Sequence, residues 1–297
     1  MSKLSSLIGN TPLLNIDPHI WAKAEFLNPG GSIKDRPVNF ILQKMISDGS
    51  VSVGDTIIEA TSGNTGISLS MLCAENNLAC KIVMPRNMSV ERKRIICSYG
   101  AQLIEVDDGN FDAAIALRDL YCFERGWKTT NQFHSPLNIE SHHVTGDEII
   151  NNCMEKGVTP IAFVVGTGTG GTLMGAGLRV KSAFPECKII AVEPAESPVM
   201  SGGSPGIHGI QGIGDGSKFL VELDKLDKIV LISTEESKEM SVWLAKNRGF
   251  FVGFSAAANF IASRRVRDEL KPAEGEAIIT ILCDKGERYV SILNTMN

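Results

Sequence analysis

Short runs of apolar, β-branched residues recur along the 297-residue chain, each bounded by Gly, Pro or Asp. The clearest are TIIEAT (56–61), KIVMP (81–85), QLIEVD (102–107), IAFVVG (161–166), KIIAVEP (188–194), KIVLIST (228–234) and AIITILCD (277–284). Runs of this length between breakers read as buried strands. Between them the apolar positions follow a helical period, roughly over 36–48, 65–77, 89–99, 111–124, 141–156, 172–184, 235–248 and 255–270. Strands alternating with helices predict an α/β fold of mainly parallel sheet, covered by helices on both faces. In such sheets ligands gather at the carboxyl ends of strands, in the loops that open the next helix.

Three strand–loop–helix corners fit that rule. GTGTGGT (166–172) follows IAFVV. Its glycines permit a tight turn that frees backbone N–H groups, and the following helix adds its positive end. The corner lacks the GK[ST] of a P-loop and the G-x-G-x-x-G spacing of a dinucleotide site, so a single phosphate is the expected ligand, against the plainer role of packing strand on helix. TSGNTG (61–66) follows TIIEA and carries Thr61, Ser62, Asn64 and Thr65. One or two such residues suffice for helix capping; four suggest a carboxylate site. GFSAAAN (253–259) opens the last long helix. SGGSPGIHGIQGIGDG (201–216) holds seven glycines in sixteen residues and reads as a loop.

Composition changes little. Charged residues are 21% and the formal net charge is −5, with no basic block that would suit nucleic acid. No apolar run approaches the length of a membrane span, and MSKLSSLIGNTP lacks the apolar core of a signal peptide. Seven cysteines without a C-x-x-C predict neither a disulfide framework nor a zinc site and point to a reducing cytoplasm. Cys283 is expected as a small apolar residue at a strand end rather than a nucleophile.

One lysine stands in a rigid turn, LNPGGSIKDRP (27–37). Alone, Lys34 would be a solvated charge, and Arg36 a structural partner for a carboxylate. Combined with a phosphate corner elsewhere, a fixed lysine suggests an amine that bonds an aldehyde cofactor, pyridoxal 5′-phosphate (PLP).

LNPGGSIKDR, TSGNTG, GTGTGGT and PGIHGIQGIG, in that order, resemble the cysteine synthases (O-acetylserine sulfhydrylases) and the catalytic core of cystathionine β-synthase, PLP enzymes of fold type II. The resemblance runs from IGNTPL (8–13) to CDKGERY (283–289). It implies two lobes, each a mainly parallel sheet flanked by helices, with the cofactor in the cleft. Residues 1–35 and 136–297 would form the large cofactor-binding domain and 36–135 a small mobile one. Lys34 matches the lysine that carries PLP. Gly168, Thr169, Gly170, Gly171 and Thr172 match the phosphate loop, Asn64 the partner of the cofactor's 3′ oxygen, and Ser255 the serine at the pyridine nitrogen. Thr61, Ser62, Asn64 and Thr65, with Gln132, match the groups around the substrate carboxylate. His142 and His143 match no catalytic role and read as helix-start or surface residues.

Departures are local: GFSAAA where G-I-S-S-G-A is usual, and QFHSP where Q-F-x-N-P is common. Neither a haem-binding extension nor a regulatory domain is expected. The resemblance implies β-replacement in which L-cysteine forms from O-acetyl-L-serine and sulfide. Serine, O-phosphoserine or cysteine as donor, another thiol or amine as acceptor, H2S release, an idle binding homologue and a dehydrogenase are the rivals. A phosphoserine donor would want a cation near 201–220, where only His208 and Lys218 stand. A homodimer is expected, with the C-terminal tail of serine acetyltransferase as a possible partner.

Overall fold

The computed structural model describes residues 3–108 and 111–293. Two sheets organise them. The larger holds six strands in the order β1-β2-β9-β6-β7-β8. These are β1 (Leu13–Asp17), β2 (Ile20–Lys23), β6 (Thr159–Gly166), β7 (Lys188–Pro194), β8 (Lys228–Ile232) and β9 (Glu276–Ile281). The smaller sheet is β3 (Thr56–Ala60), β4 (Ala79–Pro85) and β5 (Gln102–Val106), all parallel. Among the described strands, β1 and β2 alone pair antiparallel. The seven strands expected from the apolar runs are all present, and the expected α/β fold of mainly parallel sheets flanked by helices is the one observed.

Helices α1 (Asp35–Ser47), α2 (Asn64–Glu75) and α3 (Val90–Ser98) cover one face of the small sheet, and α4 (Phe111–Arg125) the other. On the large sheet α8 (Thr234–Arg248) and α9 (Phe254–Leu270) pack against one face, while α6 (His143–Lys156) and α7 (Leu178–Ala183) pack against the opposite one. Central strands buried on both faces explain the unbroken apolar runs: Ile278, Ile279 and Ile281 of β9 are fully buried. Pro160 has no N–H to give the ladder, and the β6–β9 register shifts beside it.

Three elements differ from expectation. The β1–β2 hairpin was absent from the sequence reading, because NIDPH interrupts any alternation; His19 takes φ 59° in the turn. The helix expected over 141–156 is α6, and a short helix that the apolar pattern does not show, α5 (Pro136–Ser141), precedes it. The run expected over 172–184 opens as a π-helical turn, Leu173–Gly177, before α7. No described helix is long and apolar enough to cross a membrane, and the described residues contain no cluster suited to a metal.

Candidate active site

The carboxyl ends of both sheets converge on one cleft. β3 runs into Thr61–Gly66 and then α2; β6 runs into Gly166–Thr172; β9 runs into Leu282–Lys285; the turn after β2 delivers Lys34 at the start of α1. Two adjoining cavities, of about 470 and 360 Å³, share Lys34, Asn64, Thr169 and Gly212.

The turn that holds Lys34 is tied down on both sides. Asp35 accepts from Gly30 N at 2.6 Å and from the Ser68 hydroxyl of α2. Arg36 donates to both oxygens of Glu25 at 2.7 Å and to Glu148 at 2.7 and 2.8 Å. Lys23, itself buried, closes the far side of Glu148 at 2.6 Å. Arg36 is therefore the structural partner of carboxylates that its neighbourhood suggested. Lys34 Nζ has no hydrogen-bond or ion-pair partner among the described residues and faces both cavities. Burial pushes its amine below the ordinary lysine range, opposed first by the charge of Asp215 and also by that of Asp284.

The larger cavity is lined by Gly168, Thr169, Gly170 and Thr172 together with Ser255 at the start of α9. The N–H groups of Gly168, Thr169, Gly170 and Thr172 find no acceptor among the described residues. Open N–H groups at the start of a helical run form an anion cradle. Glycine is required there by close approach: a Cβ on Gly168 would lie 2.6 Å from the Gly212 carbonyl oxygen. Gly170 has φ +88°, and a Cβ there would meet Val221. Gly171 packs on Asn138, whose amide donates to Thr169 Oγ1 at 3.0 Å. A phosphate ester at this end, a flat ring toward Ser255 and an aldehyde toward Lys34 fit the residues present.

The smaller cavity gathers Thr61, Ser62, Asn64, Thr65 and Gln132. Thr65 donates to Gln132 Oε1 at 2.7 Å, so the α2 start and the segment after α4 meet as one wall. All sequence-nominated site residues except Gly171 line one cavity or the other. Asn64 is gripped from the C-terminal segment: its Nδ2 donates to Asp284 Oδ2 at 2.7 Å, and its Oδ1 accepts from Arg288.

Several site residues had no sequence signal. Arg92 of α3 lines the smaller cavity, donates to Gln211, ion-pairs with Asp284 at 3.8 Å and lies 4.5 Å over the Tyr289 ring. A cation thus stands at the cavity from α3, outside the 201–220 stretch. Asp215, from the glycine-rich loop, is the only carboxylate lining either cavity among the described residues. His142 corrects the surface reading. It does stand at the start of α6, but it is buried, and its Nε2 lies 3.3 Å from Thr172 Oγ1, so it orients the loop Gly168–Thr172. Burial, then the charges of Arg36 and Lys34, hold its imidazole well below the usual histidine range, which makes it neutral. His143 is exposed, as expected. Cys283 follows β9, packs against the core of the large sheet and also lines the larger cavity with Ser255; burial pushes its thiol up to about 12, which disfavours a nucleophilic thiolate.

Known proteins share this arrangement. The family described as pyridoxal-phosphate dependent enzyme matches residues 4–284. A cysteine synthase from Staphylococcus aureus is 36% identical, over 98% of this chain and 96% of its own. The solved structure of an O-ureido-L-serine synthase superposes with a TM-score of 0.92 at 31% identity, covering 100% of this chain and 96% of its own. A hydrogen sulfide-producing enzyme from Fusobacterium nucleatum does so with a TM-score of 0.89 at 36% identity, covering 97% and 99%. With its motifs, fold and cleft in agreement with these matches, the chain belongs to the pyridoxal-phosphate dependent enzymes of fold type II, as an enzyme of the cysteine synthase kind.

Proposed function

We propose that this enzyme replaces the acetate of O-acetyl-L-serine by sulfide, making L-cysteine. The observation that carries the reading is the placement of Lys34, unpartnered among the described residues, between an open N–H cradle and a hydroxyl-lined wall in one cleft.

Lys34 would hold PLP through its amine, the loop Gly168–Thr172 its phosphate, Ser255 its ring nitrogen and Asn64 its 3′ oxygen. What the cofactor supplies when bound is an electron sink for the substrate's α-carbon. Thr61, Ser62, Asn64 and Thr65, with Gln132, receive the α-carboxylate at the N-terminal end of α2, where helix N–H groups favour an anion. Lys34, once free, takes the proton from Cα. Its amine is suited to this because burial lowers its basicity toward the working pH. Ser255 donates or accepts one hydrogen bond and cannot hold a proton on the ring as a carboxylate would, so the sink stays mild. Residues 36–135 form the lobe that closes when the carboxylate binds, and closure excludes water from the reacting carbon.

O-phosphoserine is the poorer donor on this reading. Its dianionic leaving group would meet the Asp215 carboxylate, and Arg92 is already committed to Asp284, Gln211 and Tyr289. Purified holoenzyme is to be given sulfide with each of O-acetylserine, O-phosphoserine and serine. We expect L-cysteine and acetate from the first, with kcat/KM about tenfold or more above the others. Equal or higher kcat/KM for O-phosphoserine contradicts the assignment.

A further inference from the structure

We propose that Asp284 and Arg288 are positioning residues of this site: together they fix which end of the Asn64 amide faces the cofactor, so that Asn64 meets the 3′ oxygen only as a hydrogen-bond donor. The proposal rests on the reading above, in which Asn64 is the partner of that oxygen.

The two ends of a carboxamide are nearly alike in shape and opposite in polarity, and a half-turn exchanges them. Asn64 opens α2 and lines both cavities. Its orientation is decided by neighbours that can act in one sense only. A guanidinium donates and has no acceptor, so Arg288 takes Asn64 Oδ1. An ionised carboxylate only accepts, so Asp284 Oδ2 takes Nδ2 at 2.7 Å. A flipped amide would set donor against donor on one side and acceptor against acceptor on the other. Nδ2 carries a second hydrogen, and no hydrogen bond among the described residues uses it. That hydrogen is what Asn64 has to offer a ligand.

The two holders are themselves buried and held. Tyr289 donates to the same Asp284 oxygen at 2.9 Å, and Arg92 of α3 stands 3.8 Å from it. Arg288 also donates to Gly30 O, in the turn that carries Lys34, and a Cβ on Gly31 would lie 2.8 Å from its Nη2. On the other side of the carboxyl, a Cβ on Gly253, which precedes α9 and Ser255, would clash with Asp284 Oδ1. The Lys34 turn, the start of α2 and the start of α9 therefore share these two side chains as a common reference. The consequence is a proton position. A donor at the 3′ oxygen favours that oxygen as an anion and leaves the proton on the nitrogen joining the cofactor to an amine, where it draws electrons from the reacting carbon. An acceptor there would favour the protonated oxygen. The first form absorbs in the visible, the second in the near ultraviolet.

The test compares wild-type, N64A, D284N and N64D/D284N holoenzymes by absorbance, by PLP affinity in equilibrium dialysis and by thermal unfolding. In D284N the amide is no longer held in one sense: part of the visible band should move to the near ultraviolet, and PLP affinity should fall about tenfold. D284A, which removes the acceptor, gives the same comparison should D284N fold poorly. The double variant returns the bond between positions 64 and 284 with donor and acceptor exchanged, and Arg288 still meets a carboxylate oxygen, but an acceptor now faces the 3′ oxygen. It should regain unfolding temperature relative to D284N and still lack the visible band. A double variant with wild-type absorbance and affinity would show that the contact is only structural and overturn the proposal, as would a D284N enzyme with both unchanged. If N64A also keeps wild-type absorbance and affinity, the reading of Asn64 as partner of the 3′ oxygen falls with it; if N64A loses them while D284N does not, only the positioning role falls.

Discussion

At the scale of single residues, the lysine turn is set by ions that lie far away in sequence. Arg36 reaches Glu148 across 112 residues, and no local pattern reveals that pairing. Burial alone would raise the Glu148 carboxyl, but the hydrogen bond and charge of Arg36, and then Lys23, bring it down to about 2 from 4.5. A carboxyl whose folded pKa is depressed contributes stability above its unfolded pKa, and that contribution is lost as pH falls toward the folded one. Wild-type unfolding free energy should therefore drop by on the order of 3 kcal/mol between pH 5 and pH 2 on account of this group. Glu148→Gln should be less stable at neutral pH and should lose that part of the acid dependence. Urea midpoints measured across this range check it; an unchanged acid slope in the variant would refute it. Asp35 has the opposite sign: burial, against Ser68 and Gly30, raises its carboxyl to about 6. Its contribution is full below its ordinary range and fades as pH rises through 6.

At the scale of elements, the sequence showed strands wherever both faces are buried, because burial makes the apolar runs continuous. β1 and β2 escaped because the hairpin at the edge mixes Asn15, Asp17 and His19 into the run, and its partner β9 lies at the other end of the chain. α5 escaped because a six-residue helix is too short to show a period; the packing of Gly175 against Ile139 and His142 fixes the corner between it and α6. The loop Gly168–Thr172 was legible as a glycine corner between strand and helix because glycine spacing and strand–helix context are both local. Its energetic demand is also local. Gly168→Ala places a methyl against the Gly212 carbonyl and narrows the cradle. Cofactor affinity should fall about 10- to 100-fold, which is about 1.4 to 2.7 kcal/mol, with far-UV circular dichroism unchanged. Equilibrium dialysis of PLP against both proteins checks it, and equal affinity would show that the loop does not hold the phosphate.

At the scale of the whole molecule, the site exists only where two sheets meet. Lys34, the α2 start, the β6 loop, the glycine-rich loop and the segment after β9 come from five stretches of chain. Their motif residues could be nominated from sequence, since each motif is local. The groups that bind the stretches to one another could not. Arg92 sits on α3 and touches Gln211, Asp284, Arg288 and Tyr289, up to 197 residues away in sequence. Its charge is partnered inside the fold, so the small sheet is fastened to the C-terminal segment through the same residues that grip Asn64. The closure proposed for residues 36–135 would have to work around this connection. It ties the position of Asn64 to that of α3.

The central claim is that the cleft is organised around a covalent bond between the Lys34 amine and the aldehyde of PLP. Hydride trapping tests it most directly. Holoenzyme is reduced with borohydride, digested and mapped by mass spectrometry. The account predicts a pyridoxyl phosphate mass on the peptide containing Lys34 alone, and none on that peptide in Lys34→Ala, whose visible absorbance should also be lost. A label on any other lysine of the wild type, or undiminished colour and turnover in Lys34→Ala, would contradict it.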